Sequence, residues 1–244
     1  GKGGGNFYVV FLTIAGFPMH EAATCGQFIL FAGAVTAMAV FYKNKSVSWK
    51  LAVFIGSLTA VSALGGGYFS HLFSGFSLKF IFAAMLTAAG AIMLVPVTEK
   101  RRSVRTRNFG DLNFQSGKEN YRVNLLIAGP IIILAGFGSG MVGVSGGSFL
   151  VPLMVLACGV SMHKAVGTAS ILIATSALMG FTGHAIHGDF RASWAIPLAL
   201  AAIIGGLTGS RFALKTKPMN LKKIFAYTNW IAALFMVINA FYAK

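Results

Sequence analysis

The sequence predicts an all-α integral membrane protein made of two inverted-topology repeats, each of about five helical elements. Hydrophobic residues make up 56% of the chain and charged residues 10%, and the mean hydropathy is +0.76. This composition is too apolar for a soluble domain with an ordinary surface. Several apolar runs approach or reach the ~20 residues that cross a bilayer as a helix, and they lack the alternation of barrel strands.

The same pattern occurs twice along the chain. The segment GFPMHEAATCGQ at 16–27 matches GVSMHKAVGTAS at 159–170, and glycine clusters precede both, at 1–6 and 143–148. Two further pairs keep the same order: 78–83 with 221–226, and Ser48-Trp49 with Ser193-Trp194. We interpret this order as one duplicated unit.

The second repeat predicts a complete set of five elements. They lie near 123–142, 148–158, 163–186, 193–214 and 221–241, and the first repeat matches the last four of them near 6–15, 20–42, 48–70 and 78–97. No counterpart of the first element is present, so we expect an N-terminal helix that is absent from this numbering. The predicted organisation is therefore repeat 1 at 1–97, a basic surface linker, disordered in part, at 98–121, and repeat 2 at 122–244.

The basic residues indicate topology. The net charge is +15, but the lysines and arginines fall in connections between apolar runs, so we expect no nucleic-acid partner. The linker 98–121 and the 43–50 connection are basic in repeat 1, whereas repeat 2 is basic at 211–223. Because short basic loops stay inside, the repeats are predicted to be inverted in the inner membrane, with the linker cytoplasmic and the C-terminus extracytoplasmic.

The short second element of each repeat is predicted to be re-entrant. About 11 residues at a rise of ~1.5 Å each reach roughly half of the bilayer. An odd number of crossings is needed between the linker and the 187–192 connection. The first two elements of repeat 2 should therefore form a hairpin that returns to the cytoplasmic side, turning at its glycine cluster.

The glycine clusters have two interpretations. Small residues allow close helix packing, which is the commoner use of glycine in membranes. A turn followed by a helix N-terminus also offers free N–H groups and the positive end of a dipole, which suits an oxyanion. Two inverted copies would point two such ends at one volume. The predicted binding residues here are Gly3, Gly4, Gly5, Asn6, Ser145, Gly146, Gly147 and Ser148.

Lys2 adds a positive charge to the first cluster, where the second cluster has Val144. A lysine at membrane depth is costly unless it faces a cavity or a partner. We therefore expect it to bind an anionic substrate, the alternative being a lysine that reaches the membrane surface.

Polar residues at matched positions in the third elements could complete the site. These are Cys25 and Gln27 in repeat 1 and Thr168 and Ser170 in repeat 2. Singly, each is more often bonded within its helix or to a neighbour. As a set they could form a polar cage around an anion.

Other chemistry is not indicated. The two cysteines occupy non-equivalent positions and predict no disulfide, and the histidines have no metal-ligand spacing, so no metal or cofactor is expected. His20 and His163 are interpreted as helix-end residues, with proton coupling as the less favoured alternative. Without a nucleophile–base arrangement or a phosphate-binding loop, the chain is not predicted to be an enzyme.

These motifs resemble the sulfite exporter TauE/SafE family of membrane permeases. The resemblance rests on the glycine motifs at 1–6 and at 138–147, the latter with Pro152 five residues on, on AVGTAS at 165–170 and on Gly188-Asp189 before Ser193-Trp194. It covers nearly all of the chain outside the linker. It implies transport of small sulfur-containing anions such as sulfite, sulfoacetate or other organosulfonates. Val10, where repeat 2 has Pro152, and Lys2 depart from the paired pattern.

The sequence thus predicts a transporter that binds a small oxyanion between two helix N-termini and works by alternating access. A passive anion channel with the same site is the alternative, and a membrane-embedded enzyme or receptor is less favoured. The expected partners are the anion and the lipid bilayer; proton coupling, sodium coupling and the oligomeric state are left open.

Overall fold

A computed structural model of the chain describes residues 4–95, 111–116, 119–156 and 158–242, with side chains of 111–123 excepted. It confirms each predicted helix to within a few residues. The helices are α1 Gly5–Ile14, α2 Met19–Lys43, α3 Trp49–Phe69, α4 Gly75–Leu94, α5 Leu125–Val142, α6 Gly147–Leu156, α7 Met162–Ala185, α8 Ala192–Lys215 and α9 Pro218–Tyr242. A 3₁₀ turn, Ser70–Leu72, extends α3.

The described helices are of two lengths. Seven of them are long and apolar enough to cross a membrane: α2, α3, α4, α5, α7, α8 and α9. Helices α1 and α6 have 10 residues each, which corresponds to ~15 Å and reaches about half of a bilayer. The protein is therefore an integral membrane protein with two short helices inside the helical bundle.

The linker contains a feature that the sequence analysis did not predict. Strands β1 Asp111–Ser116 and β2 Glu119–Asn124 pair antiparallel, with Phe114 opposite Tyr121. Apolar residues alternate on both sides of Gly117-Lys118, which is the pattern of a short hairpin. The segment was instead interpreted as part of a polar, charge-rich linker. Asn124 then caps α5, because its Oδ1 accepts from the Ile127 amide at 3.3 Å. Residues 98–110 of the predicted linker lie outside the described residues.

The two halves interlock. Helix α7 packs against α2 and α3, α2 also packs against α8, and α4 packs against α9. Each short helix packs on the long helix that follows it, α1 on α2 and α6 on α7. The long helices thus make most of their contacts with the opposite half, so neither half forms a separate core.

The connections gather at two faces. At one face, named here the histidine face, Arg191 pairs with Glu21 and His71 with Asp189. At the other, the linker face, His163 contacts the Thr216 carbonyl. Helix α1 ends towards the histidine face, where Asn239 donates to Thr13 O at 3.3 Å, and α6 leads into the start of α7 at the linker face. This order is what an inverted pair requires, and inversion stays a prediction.

Close backbone contacts account for several glycines. A Cβ at Gly140 would meet the backbone of Ala63, and one at Gly136 would lie 2.9 Å from Thr59 O. Gly206 of α8 approaches the Gly33 carbonyl of α2 in the same way. At these positions the interpretation as close helix packing is the one that the contacts support.

Candidate functional site

The turn between α5 and α6 depends on Gly143. This residue ends α5 in the left-handed conformation at φ +75°, and a Cβ there would lie 2.6 Å from Cα of Ala23. Only glycine fits both the dihedral angle and the contact. Val144 N donates back to Ser139 O at 3.1 Å, so the chain reverses and Ser145 arrives at the start of α6.

The start of α1 meets the start of α6. Gly4 precedes α1 at φ +69°, and Asn6 follows in its first turn. Asn6 Nδ2 donates to Ser148 Oγ at 3.3 Å, and Asn6 Oδ1 accepts from the Ser145 amide at 3.4 Å. Asn6, Ser145 and Ser148 are each at most 3% exposed. The structure therefore brings the two glycine clusters together through a buried polar contact.

Hydroxyl groups surround the first residues of α6. The position of a Cβ on Gly146 lies 3.2 Å from Ser139 Oγ and 3.6 Å from Ser176 Oγ, and that of Gly147 lies 3.2 Å from Ser145 Oγ. Ser145 Oγ is shielded from solvent and has no hydrogen-bond partner in the described part of the chain. Such a buried hydroxyl is costly unless something binds it.

The electrostatics of this region favour an anion. Gly147 opens α6 and Gly146 directly precedes it, and the amides of both have no acceptor among the described residues. Two helix N-termini, each with the positive end of its dipole, meet at Asn6 and Ser148. Glu21 and Asp189, the acids whose side chains the structure describes, lie at the histidine face. We name Asn6, Ser139, Ser145, Ser148 and Ser176, with the Gly146 and Gly147 amides, the turn site.

Gln27 borders the turn site. Its Nε2 donates to Ser139 O at 3.0 Å and Gly140 O at 3.4 Å, while its buried Oε1 has no partner among the described residues. Ser170, its counterpart in the repeat, bonds within its own helix, to Gly167 O at 2.6 Å. Gln27 thus contacts the end of α5 beside the turn, whereas Ser170 bonds within α7.

Cys25 and Thr168 make their polar contacts elsewhere. Cys25 Sγ contacts the Arg191 carbonyl at 3.8 Å, and Thr168 Oγ1 accepts from the Ser48 amide at 3.0 Å. Arg191 and Ser48 each precede a long helix of the opposite repeat. Cys25 therefore contacts the start of α8, and Thr168 contacts the start of α3. This agrees with the interpretation of each residue, taken singly, as a structural contact to a neighbour.

The remaining predicted residues lie at the start of α1. Gly5 opens the helix, and a Cβ there would lie 2.8 Å from the Leu30 side chain. Lys2 and Gly3 lie outside the described residues, so their contribution stays a prediction.

Three residues of the region were missed by sequence reasoning. Asn229 of α9 accepts from Asn6 Nδ2 at 2.9 Å, and Ser139 and Ser176 flank Gly146. An asparagine within the apolar α9 was the available signal, because polar residues at membrane depth are costly and seldom without a role. The serines carried no such signal, since serine is common in close helix packing.

A cavity of about 240 Å³ lies away from the turn site, between α3 and α7. Residues such as Trp49, Val53 and Leu178 line it, and its surface is almost entirely apolar. This outer groove suits an acyl chain better than an anion.

Comparison with known proteins agrees with this architecture. The family model described as sulfite exporter TauE/SafE matches residues 1–236. The chain belongs to the TauE/SafE family. As a member, it is a membrane transporter and not an enzyme. No solved structure matches the chain.

The relatives of this TauE/SafE protein carry names of the same kind. It is 29% identical to the probable membrane transporter protein YunE of Bacillus subtilis over 85% of this chain and 76% of the relative. It is 24% identical to the probable membrane transporter protein YfcA of Escherichia coli over 87% of this chain and 74% of the relative. A probable membrane transporter protein of Xylella fastidiosa is 24% identical, with 67% of this chain and 56% of the relative covered.

Proposed function

We propose that the protein carries a small sulfur-containing oxyanion, such as sulfite, sulfoacetate or another organosulfonate, across the inner membrane by alternating access. The observation that carries this proposal is the buried meeting of the α1 and α6 N-termini at Asn6, Ser145 and Ser148. Helix N-termini bind tetrahedral oxyanions through free amides and the dipole. The family supports the class of substrate.

In this proposal the anion separates the two clusters that touch in the present structure. Its oxygens would accept from the Gly146 and Gly147 amides and from the Ser145 hydroxyl, while Asn6 and Ser148 turn towards it. Lys2, from the same glycine cluster as Asn6, would add a positive charge.

The test is transport into proteoliposomes. We expect uptake of radiolabelled sulfite or sulfoacetate to saturate and to be inhibited by other sulfonates more strongly than by simple carboxylates of the same charge. Lys2→Met should weaken binding of the anion in a protein with unchanged thermal stability. Unchanged affinity would exclude Lys2 from the site, and failure of the whole sulfonate panel would reject the substrate class.

A passive channel with the same site makes a different prediction. Substrate on the far side accelerates the uptake of labelled substrate through a carrier, because the loaded site returns faster than the empty one. We expect such acceleration. An uptake rate that does not change with the concentration of substrate on the far side would favour the channel.

The orientation is part of the proposal and has its own test. With the linker cytoplasmic, a cysteine at Asp189 should react with an impermeant maleimide from outside, and one at Lys217 only after the membrane is opened. Labelling of both from the same side would reject the inverted arrangement.

A further inference from the structure

Three chain segments bring histidines and a carboxylate together at the histidine face. His20 comes from the first turn of α2, His71 from the 3₁₀ turn after α3, and Asp189 from the connection between α7 and α8. One side-chain ligand atom from each lies within 4.8 Å of the others. We propose that these three residues form a binding site for a divalent transition-metal ion of the zinc type.

The chemistry of the three ligands fits such an ion. Two imidazoles and one carboxylate, with a fourth position for water, are a common zinc donor set, and cobalt and nickel accept the same donors. Bonds of ~2.0–2.1 Å place tetrahedral ligand atoms about 3.4 Å apart. Separations of up to 4.8 Å can close to this value by side-chain rotation, because His71 and Asp189 are 27% and 22% exposed and not locked in the core.

The local contacts resemble those of a prepared site. His71 Nε2 already lies 2.9 Å from Asp189 Oδ2, so one edge of the site is formed. His20 Nδ1 is shielded from solvent and has no hydrogen-bond partner in the described part of the chain, which leaves a buried nitrogen lone pair or proton unsatisfied. The rings of His187 and His20 both stack on that of His71, with centroid distances of 3.8 and 4.6 Å.

The surrounding charges leave room for a cation. Arg191 is paired with Glu21, the residue next to His20, through Nη2 and Oε1 at 3.0 Å. That pairing offsets the charge of Arg191, and Asp189 supplies the negative charge of the site.

A metal ion at this place would join the two halves. His20 and His71 belong to the first half, and Asp189 to the second. Contacts also run from Ser70, beside His71, to the end of α5, because Ser70 contacts His184 Nδ1 at 3.2 Å and His184 Nε2 contacts Gly140 O at 2.8 Å. Bound metal should therefore stabilise the protein and hinder movement at the histidine face.

The test uses the purified full chain and Zn²⁺ or Co²⁺ alone. We expect one ion per chain by equilibrium dialysis, absorption bands of Co²⁺ with nitrogen and oxygen ligands, and a higher melting temperature with Zn²⁺. His20→Ala, His71→Gln and Asp189→Asn should each weaken binding at least tenfold and abolish the Zn²⁺-dependent shift.

His163→Ala is the matched control. His163 occupies the position of His20 in the second repeat but contacts Thr216 O at 3.1 Å on the linker face, so its loss should leave metal binding unchanged. Equal weakening by His20→Ala and His163→Ala, or less than one ion per chain, would overturn the proposal. The melting temperature of each variant without metal shows whether it is folded, and these measurements do not depend on which anion is carried.

Discussion

The two short helices occupy matching places in the repeats but have different surroundings. In α6, residues 147, 148 and 150–155 are buried and Phe149 and Leu156 are half-buried, and three serines surround its start. Helix α1 exposes Phe7, Phe11 and Ile14, and its Gly4 has the Tyr8 ring beside it. The comparison indicates a division of roles: α6 provides the enclosed polar surface, and α1 contributes Asn6 to it.

Asn6→Asp places a negative charge between the two helix N-termini without changing the shape of the side chain. A like charge about 4 Å from a bound anion costs up to ~4 kcal/mol at a protein-like dielectric, which is about a thousandfold in affinity. We expect anion binding to be lost by isothermal titration, and Asn6→Ala to lose less. Equal affinities for Asn6→Asp and the unaltered protein would show that the anion binds elsewhere.

Gly146→Ala and Gly4→Ala compare the two glycine clusters directly. At Gly146 the new methyl group would enter the space beside Ser139 Oγ, so we expect transport affinity to fall about tenfold while stability changes little. At Gly4 the left-handed backbone should cost about 1–2 kcal/mol of stability. Thermal unfolding and uptake kinetics on both variants separate the effects, and a reversed order would contradict the division of roles.

Gln27→Ala and Ser170→Ala compare a matched pair from the two repeats. Gln27 donates to Ser139 O and Gly140 O at the end of α5, and these carbonyls keep contacts with Val144 N and His184 Nε2. Its loss removes two buried hydrogen bonds, which should cost about 0.5–1.5 kcal/mol each and reduce transport. Ser170 is bonded within its helix, and we expect its change to stay within about 0.5 kcal/mol. Denaturation in detergent measures both; equal costs would show that Gln27 has no special role.

Thr168→Val should affect stability and leave anion binding unchanged. The variant removes the acceptor of the Ser48 amide at the start of α3, which should cost about 1 kcal/mol of stability and leave the affinity for the anion unchanged. A selective loss of affinity with normal stability would return Thr168 to the binding site.

The sequence predicted most of the fold because its signals are local. Long apolar runs and glycine clusters located each helix to within a few residues, and the family resemblance is confirmed. The hairpin at 111–124 was missed because the polar, charge-rich composition of the linker concealed a weak alternation. Repeat matching also identified Asn6 and Ser148 as equivalent residues, although only the structure shows that they touch.

The rest of the site depends on which helices meet, and one sequence cannot show this. Asn229 contacts Asn6 from α9. Cys25 and Thr168 contact residues that precede helices of the opposite repeat, because α2 and α7 each pack against the other half. The residues of the histidine cluster do not have the short sequence spacing of a metal-binding motif. His20, His71 and Asp189 come from three separate segments of the chain.

The interlocked packing also has a consequence for biosynthesis. Helices α2 and α3 are synthesised before α7 and α8, yet Gly33 and Gly67 are covered by backbone from these later helices. We expect the nascent first half to present bare backbone grooves to lipid or to an insertion factor until the second half arrives. A chain arrested after α4 should then be recognised by membrane quality control. Packing of α7 and α8 into the grooves would end that recognition.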